Sequence, residues 1–249
     1  MDLYIWILTS IVVFIASLTM SIAGFGFGLV ATPLLFLFLE PRIVVLFSSS
    51  LGSIIGLLVF LQARHFIKPK IIIILGLSSL VGIPIGIYMI SHISILILKI
   101  IIGILVIAFA ILFYFGLTYK IKRENLGCAF SGFIGGIFMT GTGLGGPPVI
   151  LYFINQAFEK QVFRSSVASF FIITGIASFI SLGVSGIASS ANLLQTLTFI
   201  PVVVIAYLIG NKILPHINQW LFRTIVLAII LISGTAGLLL TLFAFIGLT

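Results

Sequence analysis

Thr140–Pro148 reads T-G-T-G-L-G-G-P-P inside a long apolar run, and a looser version, G-F-G-F-G-L-V-A-T-P, occupies Gly24–Pro33. Either run without its glycines would be read as one continuous helix. A Gly cluster followed by Pro cannot stay a regular helix, because Gly adds backbone freedom and Pro removes a donor and clashes with the preceding turn. In lipid, opened backbone survives only where it is buried in protein or lines a cavity. Two such breaks in one chain therefore point to a place where something binds.

That reasoning needs a membrane, and the composition supplies it. The chain has 249 residues, 61% hydrophobic and 6% charged, with mean hydropathy +1.44. Soluble domains carry about 25% charged residues, and successive apolar stretches here pass the ~18-residue threshold for a spanning helix. The expected fold class is an all-α polytopic membrane protein. Met1-Asp2-Leu3 lacks the basic region of a cleaved signal, so the first run, Leu3–Ile22, is expected to stay as a helix. The net charge of +8 is scattered over short loops, a pattern that carries topology and argues against a nucleic-acid partner. Cys128 is the single cysteine, which excludes an intrachain disulfide and a cysteine-cluster metal site and fits a small packing residue.

After the first break come a short piece, Leu29–Leu39, then Ile43–Leu61, Ile71–Ile90 and Ile95–Leu117. The pattern restarts with Leu126–Met139, the second break, a short piece Val149–Ile154, then Val162–Val184, Leu193–Ile209 and Trp220–Leu248, for about ten helical segments. This predicts a first transmembrane repeat over 1–118, a basic connector over 119–125 and a second repeat over 126–249. A shift of 115 residues lays Gly26, Gly28, Leu29 and Pro33 on Gly141, Gly143, Leu144 and Pro148. Two inserted residues then bring Phe47-Ser48-Ser49 onto Arg164-Ser165-Ser166. Repeats of this kind suggest a transporter with its site at their interface.

Charge decides between parallel and inverted repeats. If each break is the tip of a partly re-entrant hairpin, each half crosses an odd number of times and the halves are inverted. Ten of the twelve Lys and Arg then share one face, with Arg42 and Lys99 left on the other. Kinked single crossings would move Lys160, Arg164, Lys212 and Arg223 to the wrong side. The positive-inside rule selects inverted repeats with discontinuous helices, basic loops cytoplasmic and a multi-pass cell-membrane location.

No catalytic set emerges. The acids are Asp2, Glu40, Glu124 and Glu159 and the histidines His65, His92 and His216, all in turns or at helix ends. An enzyme or metal centre needs such groups converging at depth, so no enzyme activity, cofactor or metal is expected. The breaks offer donors instead. A helix restarting after a Gly-rich turn exposes N–H groups carrying partial positive charge, and adjacent glycines let the backbone hold an anion. With Pro in early helical positions, Gly28–Pro33 and Gly143–Pro148 each supply such a start. The expected anion site comprises Gly26, Gly28, Thr32, Ser48, Ser49, Thr140, Gly141, Thr142, Gly143, Gly145, Gly146, Arg164, Ser165 and Ser166. The competing readings are close helix packing for the glycines, bonding to the helix backbone for the hydroxyls and topology anchoring for Arg164. Glu40 reads as interfacial and Lys99 as snorkelling.

The pairing of G-F-G-F-G-L-V-A-T-P with G-G-I-F-M-T-G-T-G-L-G-G-P-P, each before a Ser-bearing helix, resembles the TauE/SafE-type sulfite exporter family of anion permeases. The resemblance covers nearly the whole chain, and Gly135–Pro148 is its more specific motif. Phe25 and Phe27 are bulkier than the Gly-rich first motif it implies. The resemblance implies transport of sulfite, organosulfonates or related sulfur oxyanions through the bacterial cytoplasmic membrane, often as export. The expectation is a secondary transporter working by alternating access, with a small anionic substrate and the lipid bilayer as partners and a homo-oligomer left open. A carboxylate permease and a non-transporting scaffold subunit are the rivals.

Overall fold

The structure, a computed structural model, describes residues 2–115, 123–156 and 158–213. Among them the chain forms α1 (Leu3–Ala23), α2 (Phe27–Leu35), α3 (Pro41–Ala63), α4 (Pro69–His92), α5 (Ile95–Phe115), α6 (Glu124–Thr142), α7 (Gly146–Asn155), α8 (Lys160–Val184), α9 (Ser190–Leu197) and α10 (Ile200–Ile213). Five helical stretches, Leu3–Ala23, Pro41–Phe66, Pro69–His92, Gln161–Val184 and Ala191–Ile213, are long and apolar enough to cross a membrane. At ~1.5 Å per residue, α2 and α7 reach about half that depth. The all-helical polytopic class read from the sequence is what the chain adopts. Residues 119–122 of the expected connector and the whole run Trp220–Leu248 lie outside the described residues.

Local chemistry sets the ends. Pro41 and Pro69 open α3 and α4 at the first helical position, where a missing N–H costs nothing. Gly24 and Gly143 close α1 and α6 in the left-handed conformation, φ 81° and 77°. Their N–H groups bond back to the Met20 and Met139 carbonyls. Three expectations shift. The run Leu193–Ile209 splits into α9 and α10, because Pro201 lacks a donor and disfavours helix at Ile200, leaving tight turns at Thr198 and Phe199. The turn expected over Ser185–Asn192 ends sooner, because the Ser189 hydroxyl caps α9 by accepting from the Asn192 N–H at 3.2 Å. Pro33 is not early in its helix but seventh in α2, which ends two residues later.

The helices lie in definite directions. Phe199 stacks on Trp6 near the start of α1 and touches Phe47 near the start of α3, with centroids at 5.6 and 5.3 Å. Gly56 late in α3 meets Met20 late in α1. So α1 and α3 run parallel, and α2 folds back between them. Leu75, Ser79 and Gly86 of α4 meet Gly132, Gly136 and Thr140 of α6 in the same sense, so that pair is also parallel. At the centre α3 and α8 cross antiparallel: a Cβ added at Gly56 would lie 3.3 Å from the Ala168 carbonyl oxygen, and one at Gly175 2.6 Å from that of Ser49.

Positions 119 apart carry matching roles. Met20 and Met139 accept the cap bonds, Gly24 and Gly143 make the caps, Phe27 and Gly146 restart the helix, and Gly56 and Gly175 make the central crossing. This corrects the 115-residue register by one helical turn. Glycine at every second residue in both motifs lets them match in several registers, and only the cap geometry selects one. Ser49 consequently stands opposite in role to Ala168, not to Ser166.

Candidate functional site

The two breaks meet. Gly28, in the first turn of α2, sits against the Gly143 carbonyl so closely that a Cβ there would overlap the oxygen. Thr32 donates to that carbonyl at 3.4 Å and shares a 3.1 Å hydrogen bond with Ser48. A Cβ on Gly143 would fall 2.8 Å from the Thr32 hydroxyl and 3.0 Å from that of Ser48. The second break is thus lined by hydroxyls from the first half. No acceptor among the described residues takes the N–H groups of Gly26, Phe27 and Gly28, nor those of Gly145 and Gly146. These are the free helix-start donors expected from the sequence.

The first break has a different lining. Gly26 caps α2 at φ 105° and lies over the Thr19 methyl. Arg164 comes from α8, and its Cγ would lie 2.8 Å from a Cβ on Gly24. Arg164 as a whole is 3% exposed, and its guanidinium donates through Nη2 to the Ser21 carbonyl and the Gln62 Oε1, both at 3.1 Å. Nε has no partner.

A ring and a glycine trade places between the halves. Phe27 fills the space above Gly52, at 3.6 Å from a Cβ built there, while Phe171 fills the space above Gly146, at 2.8 Å. Positions 27 and 146, and 52 and 171, are the 119-residue equivalents. The bulky Phe27 is therefore accommodated by a glycine on the facing helix.

The remaining expected residues divide. Ser49 and Ser166 are buried with unpartnered hydroxyls. They are not brought together: Ser49 faces Gly175, nine residues and roughly 13 Å along α8 from Ser166. Ser165 donates to the Phe66 carbonyl at 3.1 Å, and Thr142 to that of Phe138 at 2.8 Å while accepting from the Leu144 N–H. Thr140 shares a 2.7 Å hydrogen bond with Ser178. Gly141 packs on Gly86, and a Cβ on Gly145 would strike Met139 at 2.7 Å. Sequence reasoning missed Ser17, another buried hydroxyl without a partner. It also missed Gln62, whose Nε2 donates to Asn211 at 2.6 Å. A cavity of about 390 Å³ opens elsewhere, between the starts of α4 and α6, lined by Lys68, Lys70, Glu124 and Asn125 and floored by Cys128 and Tyr152. No break residue lines it.

This arrangement offers one fixed positive charge and many neutral donors, with no carboxylate among them. It suits a small oxyanion. Among known proteins, the family model described as "Sulfite exporter TauE/SafE" matches residues 9–237. A protein of Cupriavidus necator named "Probable sulfite/organosulfonate exporter TauE" is 27% identical over 137 residues, 52% of this chain and 54% of that protein. The chain thus spans about half the length of that curated relative. No solved structure matches.

Proposed function

This chain belongs to the sulfite exporter TauE/SafE family, and from that premise we propose that it moves sulfite or an organosulfonate across the cell membrane by alternating access. It is a multi-pass membrane transporter and not an enzyme. The observation that carries the substrate reading is the meeting of two broken helices at Gly28 and Gly143, with unpartnered donors from both and a buried guanidinium nearby. Alternating access is commonly built from one repeat rocking against another around such a point. The antiparallel crossing of α3 and α8, at positions 119 apart in role, supports inverted repeats over 1–118 and 126–249. The exchange of partners, α1 with α10 and α4 with α6, is what a two-fold axis in the membrane plane produces.

Arg64, Lys68, Arg123, Arg164 and Lys212 lie at helix ends that gather on one end of the bundle, joined by the Gln62–Asn211 and Arg164–Gln62 bonds and by the cavity between α4 and α6. That end is assigned to the cytoplasm by the positive-inside rule. Labelled sulfite supplied to proteoliposomes of the full chain tests the reading. Saturable uptake that taurine or another sulfonate competes supports it, and flux indistinguishable from empty vesicles overturns it.

A further inference from the structure

Arg164 is the single charged residue among the buried residues described. All four acids of the chain are described and exposed, and none pairs with it. A charge held away from water is costly unless it is paired and hydrogen-bonded. Here the guanidinium has two neutral acceptors and an unpartnered Nε–H. The edge made by Nε–H and Nη2–H is the planar fork that matches two oxygens of an oxyanion. Both Nη2 hydrogens are already taken, by the Ser21 carbonyl and the Gln62 carboxamide. The carbonyl is fixed in α1, whereas the exposed Gln62 side chain can turn away.

We propose that Gln62 holds the place of a substrate oxygen on Arg164. A sulfur oxyanion displaces its Oε1, takes the Nε–H and Nη2–H edge, and breaks the Arg164–Gln62–Asn211 bridge that ties α8 and α10 to α3. This rests on the anion-carrying reading above and adds two residues to it: Gln62 as a competing ligand and Asn211 as the group that positions Gln62. Binding and release of a contact between the halves thereby become one event. The first break, packed on the Arg164 stem at Gly24, is where that event is felt.

Sulfite titration of the purified full chain, read by thermal shift, tests it, since a ligand of the folded state raises Tm by mass action. Gln62→Ala removes the competitor and should bind sulfite about three- to tenfold tighter than wild type, the net scale of one hydrogen bond. Gln62→Glu places a tethered carboxylate on the same fork. It should raise the Tm of the unliganded protein and weaken sulfite at least about tenfold. Arg164→Lys keeps the charge and loses the fork, and should also bind at least about tenfold more weakly. A wild-type protein that binds sulfite, together with Gln62→Ala or Gln62→Glu variants of unchanged affinity, overturns the proposal and leaves the transport reading intact. A Gln62 with a merely structural role would lower Tm in both variants and tighten binding in neither. A wild-type protein that neither binds nor transports sulfite, thiosulfate or taurine overturns both.

Discussion

The two breaks share a backbone and differ in chemistry. Each is a helix closed by a left-handed glycine, two residues of turn and a short helix folded back, 119 residues apart. Around the first stand a guanidinium and the Phe27 ring; around the second stand the hydroxyls of Thr32 and Ser48 and a bare Gly146. Arg164 therefore stands at one break and the Thr32 and Ser48 hydroxyls at the other, and separate substitutions can reach them.

The largest effect expected is structural. Phe27→Ala empties the space above Gly52 and should cost about 3–5 kcal/mol, read as a fall in the denaturation midpoint. Combining Phe27→Gly with Gly52→Phe should restore part of that loss, because it reproduces the arrangement of Gly146 and Phe171. A double variant no better than its single parents would refute the equivalence of the halves. Next in size, Arg164→Met should abolish sulfite-induced stabilisation, while Ser48→Ala should weaken it only by about 1 kcal/mol, the net scale of one hydrogen bond. Equal losses at both would erase the division between charged and neutral breaks.

Gly145→Ala should lower Tm through overpacking worth about 1–3 kcal/mol, since the added Cβ meets Met139 and the Gly135 carbonyl at 2.7 and 2.8 Å. The folded remainder should still respond to sulfite. Loss of the response with Tm unchanged would return Gly145 to the ligand. The smallest effect is at the unpartnered serines. Ser49→Ala or Ser166→Ala should leave the Tm of the empty protein unchanged or raise it, because neither hydroxyl bonds to the protein and a buried unpaired hydroxyl is costly. A weaker sulfite affinity in one alone would show on which helix the anion travels.

Much of this was legible in the string. Apart from the split at Pro201, long apolar runs marked the described helices to within four residues, and Gly-Pro clusters marked where they open, because both signals are local. The register between the halves was not legible, since alternating glycines match themselves at several shifts and only φ at Gly24 and Gly143 distinguishes them. Nor could the string tell which of several adjacent glycines faces hydroxyls and which faces a packed apolar side chain: Gly143 and Gly145 look alike until Thr32 and Met139 are placed beside them. Gln62 was invisible for a different reason. Its partners lie 102 and 149 residues away, and nothing in Q-A-R announces them.

The isolated Arg164 also has an electrical consequence. A monovalent anion seated on its guanidinium leaves the described interior neutral, and departure of that anion leaves one uncompensated positive charge. In the proposed cycle, any step that carries Arg164 through the membrane field would be driven by the field in the empty protein and barely in the loaded one. The work involved is at most about 2.3 kcal/mol per 100 mV for a full crossing. Membrane potential should therefore alter how fast the protein resets, with little effect on how fast it delivers a singly charged substrate.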